Sequence, residues 1–390
     1  MSLAPAALRT FAFAAGVSVA NFYYVQPLLV DIGKSFGLNE AVMGLVPTLT
    51  QFGLGLGVLL LLPLGDVIDN RRLVSCAIAL QAVALLVMAT ASNLILFFGA
   101  AMVMGFTGIT SYLLAPYVAH LAPAAERGRV IGLLARGGII GILLARTVSG
   151  LIGFYIGWRS VYLLAALAML ALLWLLRRYM VPLARPTTTP YHHLLLSLVK
   201  LVRNEPAVRR TVFTQALNFG SFNSLWLGLS LYLESPAFGL HSDSVGMFGL
   251  LGAAAALAAP LAGRFVDRKG PQVTLRFALA LTVIAWVVMA LLPNMIGIVA
   301  GIILVDLGAT ASDVSNRTIL FRLHPDIRTR LMAVYSIGMF FSGGILSLLT
   351  TILWAHSGWL GVCLLGLAAT SLAFLANLRA PSAPHDGYGD

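Results

Sequence analysis

Apolar runs of bilayer-crossing length recur along the whole chain, each closed by a short cluster of glycine, proline or charge. A helix needs roughly 20 apolar residues to cross the hydrocarbon core. Twelve such helices are predicted, over 8–30, 41–64, 73–92, 94–122, 130–155, 159–176, 208–233, 244–262, 273–292, 294–320, 330–353 and 357–378, with ends placed to within a few residues. An even number puts both ends of the chain on one side. The first run begins at Ala7, carries no signal-peptide cleavage pattern and is followed by many more, so it reads as a retained span.

The longest break in the pattern is Arg177–Arg210, between spans six and seven. It opens "RRYMVPLARPTTTPYHH", a proline- and threonine-rich stretch that reads as a linker. "LLLSLVKLVRN" (Leu194–Asn204) within it fits an amphipathic helix lying in the membrane interface. The expected organisation is a six-helix bundle over 1–176, a cytoplasmic linker over 177–207, a second six-helix bundle over 208–380 and a disordered tail over 381–390.

Composition agrees with the pattern. Of 390 residues 59% are hydrophobic and only 10% charged, against about 25% charged in a soluble domain; mean hydropathy is +0.92. The net charge of +11 raises the question of a nucleic-acid partner, and the placement of the charges answers it. Arg136, Arg146 and Arg317 fall inside spans, and Lys34 and Arg159 on one set of loops. The other Lys and Arg sit at the N-terminus, the C-terminus and the even-to-odd loops. The positive-inside rule makes those segments cytoplasmic, and no nucleic acid is required. Cys76 and Cys363 lie in separate apolar runs, so neither a disulfide nor a metal site is expected.

The two halves repeat. "GDVID" (Gly65–Asp69) follows span two and "GRFVD" (Gly263–Asp267) follows span eight, 198 residues later, each with basic residues just after. "ERGR" (Glu126–Arg129) and "IRTR" (Ile327–Arg330) follow spans four and ten at an offset of 201, and "GWRSVYLL" (Gly157–Leu164) and "GWLGVCLL" (Gly358–Leu365) open spans six and twelve at the same offset. Internal duplication of this kind builds many secondary transporters, with the substrate site between the halves near the midplane.

With these motifs the chain resembles the major facilitator superfamily over its whole length. "GRFVDRKG" is similar to that family's cytoplasmic-loop motif, and "GDVIDNRR" to a shortened form of it. The resemblance implies an all-α membrane protein with 12 transmembrane helices in two pseudo-symmetric six-helix bundles. It also implies that these loops hold an inward gate. The expected gating set is Gly65, Asp66, Asp69, Arg71, Gly263, Asp267, Arg268, Arg127 and Arg330, with Arg136 added as a cation near the inner end of span five.

Span five departs from the family. Where many proton-coupled drug antiporters carry Gly-Pro-x-x-Gly-Gly, this chain reads Ala145-Arg146-Thr147-Val148-Ser149-Gly150, with Arg146 in place of the proline. A span-four arginine of such antiporters would fall at Ala101 and is absent. Arg146 lies near mid-membrane. Intramembrane charges usually face a cavity or an opposite charge, so Arg146 is a candidate substrate ligand or a partner for a buried acid.

Only two acids lie well inside a span. Asp306, Thr310, Asp313 and Arg317 stand at i, i+4, i+7 and i+11 of span ten, on one helix face. A carboxylate held out of water can take up and release a proton as access alternates, which makes Asp306 and Asp313 the proton-coupling candidates. Asp313 also has Arg317 one turn away as a static partner. The family resemblance implies that spans one, four, seven and ten line the cavity. Asn21, Tyr24 and Gln26, with Tyr23 nearby, come from span one, Tyr112 from span four, and Gln215 and Asn218, with Trp226 further out, from span seven. Arg146 and Thr310 complete the substrate-binding candidates.

No Gly-x-x-x-x-Gly-Lys-Ser/Thr loop, zinc-protease motif or nucleophile elbow occurs. The expectation is therefore a transporter rather than an enzyme, working without cofactor or metal. It is expected in a bacterial inner membrane as a monomer with cytoplasmic termini. Its partners would be protons, the lipid bilayer and a small-molecule substrate. Proton-coupled export is the first reading; import or exchange of an organic anion held by Arg146 is the second.

Overall fold

The structure is a computed structural model that describes residues 5–38, 40–123, 126–182, 190–323 and 327–378. The tail expected over 381–390 and part of the linker, 183–189, lie outside the described residues. Every regular element among the described residues is helical. Eight of the helices are long and apolar enough to cross a membrane, consistent with the twelve-span pattern. The side carrying the basic loops is called the inner side below.

Several spans are broken where the sequence pattern runs on. Span one is helical over Pro5–Ala20, turns over Asn21–Val25, and resumes as Gln26–Leu28 and Leu29–Ser35. Pro27 explains the break: it has no N–H to donate, and its ring crowds the carbonyl of Tyr23 four residues back. Span two runs Leu45–Leu60 into a short 3-10 turn, Pro63–Asp66. Span four is divided into Leu94–Thr107 and Thr110–Leu121, and span eight into Ser242–Met247, Phe248–Leu251 and Gly252–Lys269. Spans three (Asn70–Thr90), five (Arg127–Ile156), six (Trp158–Tyr179), seven (Pro206–Glu234), nine (Pro271–Leu291) and ten (Met295–Leu323) are continuous. Spans eleven and twelve share Arg328–Leu378, divided at Gly358 with φ 56° and ψ −143°.

The Gly-Trp repeat has a structural explanation. Gly157 has φ +104° and Gly358 φ +56°, a region that side chains with a Cβ avoid. Each glycine reverses the chain at the outer side and delivers a tryptophan, Trp158 or Trp359, into the core of its own half. Trp158 packs edge-on against Phe97, and Trp359 donates its indole N–H to the Met289 carbonyl at 3.2 Å. Phe11, Ile78, Phe97 and Tyr162 belong to the core of the first half; Trp286, Ile302 and Val362 belong to a cluster of the second.

On the outer side the halves close on each other backbone to backbone. A Cβ on Gly150 of span five would strike the Ser242 carbonyl of span eight, and one on Gly246 would meet the Arg146 carbonyl. Thr147 Oγ1 donates to the Gly246 carbonyl at 3.1 Å. Spans two and eleven form the second seam. Phe52 meets Phe341 with ring centroids 5.9 Å apart, and Gln51 Nε2 donates to Asn223 Oδ1 of span seven at 3.0 Å. The linker helix Tyr191–Asn204, three residues longer at its start than expected, lies across the inner side. Its Tyr191 hydroxyl donates to the Leu60 carbonyl at 2.6 Å, and Leu198 is buried with Leu331 and Val334.

Candidate functional site

The polar residues between the halves form two layers. The outer one is built on spans five and ten. Arg146 is 3% exposed and Asp306 4%. Arg146 Nε donates to Gln26 Oε1 at 2.6 Å, and the break at Pro27 is what turns Gln26 to it. The guanidinium carbon sits 3.7 Å from the Trp226 ring centroid and 4.9 Å from that of Tyr23, a cation held between two aromatic faces. Glycines of span eight make room: a Cβ on Gly249 would stand 2.9 Å from Arg146 Cβ, and one on Gly252 would stand 3.1 Å from Asp306 Oδ2.

This layer is incompletely bonded. Arg146 Nη2, Asp306 Oδ2 and Trp226 Nε1 are buried and have no hydrogen-bond partner among the described residues. Arg146 and Asp306 act on each other electrostatically, and the Trp226 indole is directed at the carboxylate without completing a hydrogen bond. Yet no ion pair within 4 Å joins these two charges, whereas Asp313 and Arg317 do form one. A cavity of about 10 Å³ between Gln26, Arg146, Trp226 and Val245 adjoins the arginine, at the lower bound for one water molecule.

The inner layer lies seven residues further along span ten, about 10 Å towards the basic-loop side. Here both oxygens of the acid are engaged, although Arg317 Nε and Asn316 Oδ1 are buried without a hydrogen-bond partner among the described residues. Asp313 Oδ2 is 2.8 Å from Arg317 Nε. Its Oδ1 accepts from the Tyr335 hydroxyl at 2.7 Å and from Gln215 Nε2 at 3.5 Å. Asn316 Nδ2 in turn donates to Gln215 Oε1 at 3.0 Å. The side chains of Asp313 and Arg317 are 30% and 42% exposed, so solvent reaches this layer while the outer one is sealed.

The remaining candidates are spread more widely. Asn21 and Asn218 are fully buried, and neither amide finds a partner among the described residues. Thr310 is half-buried one turn from Asp306. Tyr112 packs edge-on against Phe340 at 5.8 Å, across the boundary between the halves. Tyr24 lines a groove between spans one and five, while its neighbour Tyr23 is the ring at Arg146. Tyr23 and Trp226, named from the sequence only as neighbours, belong to the site, and so do Tyr335 and Asn316, which the sequence did not single out. For Tyr23 and Trp226 an aromatic ring beside polar neighbours was the available signal, but the turn over Asn21–Val25 decides which tyrosine faces Arg146.

Among the gating candidates, Asp69 caps span three by accepting from Arg71 N at 3.1 Å, and Arg71 Nη2 donates to the Arg177 carbonyl at 2.6 Å. Arg127 Nε donates to the Ala122 carbonyl at 3.5 Å. Gly65, Asp66 and Arg330 line one crevice on the inner side, together with Tyr117 and Leu198, and no ion pair within 4 Å joins Asp66 to Arg330. Gly263, Asp267 and Arg268 stand in the last two turns of span eight. Arg136 is exposed in the same groove as Tyr24.

Apolar spans that enclose two layers of charge between two packed halves have the architecture of a membrane transporter. The chain belongs to the Major Facilitator Superfamily, whose family model matches residues 11–305 and 211–387. It is 34% identical over 365 residues to the uncharacterized transporter YgaY of Escherichia coli O157:H7, covering 93% of each chain. It is 31% identical over 160 residues, 40% of this chain and 41% of the relative, to a Helicobacter pylori (strain HPAG1) protein named as a probable sugar efflux transporter. The fold matches a bacterial homolog of the human lysosomal transporter Spinster, solved inward-facing and unoccupied. The TM-score is 0.76 at 13% identity, over 96% of this chain and 98% of that one.

Proposed function

We infer that this transporter exports a small organic compound in exchange for protons, with Asp306 as the proton-carrying carboxylate. The observation that carries this is the bonding of the outer layer. Asp306 is buried, one of its oxygens is unpartnered, and Arg146 is a neighbour that has not closed an ion pair. A carboxylate so held has two accessible states: ionised beside the guanidinium, or protonated when the halves rearrange. Asp313, fixed by Arg317 and Tyr335, lacks that freedom and serves as a structural pair. Partial likeness to a protein named for sugar efflux favours the export direction.

Export then follows from alternating access. With the outer seam open, Asp306 accepts a proton from outside and substrate leaves; with the seam closed, the proton departs inward and substrate binds from the inner side. The loop residues Asp66, Asp267, Arg268 and Arg330 hold the inner side shut in the opposite state. The protein would work as a monomer in a cytoplasmic membrane, with two six-helix bundles and both termini inside. A second reading, exchange of an organic anion, is favoured by the unpartnered Arg146 Nη2, since a guanidinium is a natural carboxylate or phosphate ligand.

A pH-dye assay in sealed, inverted vesicles separates the two. Cationic, neutral and anionic compounds are added to wild type, Asp306→Asn and Asp313→Asn. Alkalinisation of the lumen with some compounds, lost in Asp306→Asn and kept in Asp313→Asn, is the expected result. Substrate accumulation against a gradient by Asp306→Asn under a pH difference would refute the assignment. Anion counterflow in proteoliposomes without any pH response would select the second reading.

A further inference from the structure

Spans one and five touch along three glycines. A Cβ on Gly16 would stand 2.7 Å from the Gly137 carbonyl oxygen, and one on Gly141 would strike the Gly16 carbonyl. Beside this contact runs a groove of about 490 Å³, walled by Phe13, Val17, Ile140 and Leu144, with Arg136 and Tyr24 also lining it. The groove faces away from the transport pathway. The opposite side of span one packs on span four, through Ser111 Oγ donating to the Ala15 carbonyl at 3.1 Å and the Phe11–Tyr117 ring pair. The opposite side of span five carries buried Arg146 and Ser149. Phe13, Ile140 and Leu144 are exposed, and on membrane-spanning helices an apolar face turned from the pathway meets lipid.

Arg136 is the anomaly in that wall. It lies nine residues into span five, about 13–14 Å from its inner end, within snorkelling reach of the headgroups. It is exposed, and no acid, carbonyl or ring partners it among the described residues. A guanidinium on a lipid-facing surface is costly unless an anion meets it. We propose that the groove binds one anionic glycerophospholipid of the inner leaflet, its phosphate held by Arg136 and one acyl chain lying along the contact of spans one and five towards Tyr24. Charge selects the lipid class: a zwitterionic headgroup brings its own ammonium to the phosphate, whereas an anionic one leaves a net charge for Arg136.

Native mass spectrometry of the full chain in detergent tests this. Phosphatidylglycerol is titrated in, with phosphatidylethanolamine and diacylglycerol as comparators. Wild type should retain a first phosphatidylglycerol more tightly than later ones. Arg136→Gln should weaken that first binding about fivefold, the factor for one basic residue near an anionic surface. Ile140→Trp, which fills the groove, should remove it. Arg136→Lys should keep it, and so should Arg159→Gln at the outer side. If Arg136→Gln fails to fold, Arg136→Lys and Ile140→Trp still carry the test. Equal retention in wild type and Ile140→Trp, or in wild type and Arg136→Gln, would overturn the proposal, as would diacylglycerol competing as well as phosphatidylglycerol.

Discussion

The outer and inner polar layers use the same chemistry on the same helix face and differ in whether the acid and the arginine close an ion pair. Each pairs an aspartate of span ten with an arginine, flanked by an aromatic ring and an amide side chain. In the inner layer Asp313 and Arg317 are one turn apart on one helix, and Tyr335 and Gln215 complete the carboxylate. In the outer layer Asp306 and Arg146 come from different halves, and neither is saturated. A pair within one helix moves as a unit and survives any rearrangement of the halves. A pair across the boundary is remade or broken each time they move, so it can register the transport cycle.

That contrast can be broken at several points. The largest effect is expected at Arg146. Arg146→Leu leaves Asp306 buried without its cation and should cost about 3 kcal/mol, the lower end for breaking a buried pair, because Asp306 can take a proton instead. Adding Asp306→Asn should restore most of that stability in a thermal-melt assay of the purified protein. Simple additivity of the two losses would show that the charges are uncoupled.

Asp313→Ala comes next. It strands Arg317 and the Tyr335 hydroxyl, a loss of about 1–3 kcal/mol, held down by the partial exposure of the pair. Asp313→Asn combined with Arg317→Gln should recover stability and still respond in the vesicle assay. Loss of proton exchange in that double variant would move the coupling site to the inner layer. The smallest change is Trp226→Phe. It keeps an aromatic face over Arg146 and removes the unsatisfied indole N–H, so a shift of only about 0.5–1 kcal/mol is expected. A large loss there would mean that the indole N–H bonds Asp306 in another state of the cycle.

The family, the duplicated halves and the eight-residue stretch of span ten that holds both acids were legible in the chain alone. Span length, the 198- and 201-residue offsets and the side carrying the basic loops are one-dimensional patterns, each set by a local requirement: bilayer thickness, a positive-φ glycine before tryptophan, and charge asymmetry. Span ten also revealed Asp313–Arg317, because an i,i+4 pair is fixed by the helix itself.

Everything that distinguishes Asp306 required contacts between distant segments. Arg146 to Gln26 spans 120 residues, and the Trp226 face is brought over it by the packing of span seven against the first half. The choice of Tyr23 over Tyr24 followed from a helix break at Pro27 whose rotation no periodicity gives. The same rotation set Tyr24 in the far end of the groove that Arg136 lines. Local sequence determines which residues can carry charge through the membrane; only the approach of the two halves, allowed by Gly150 and Gly246, decides which of those charges is left without a partner.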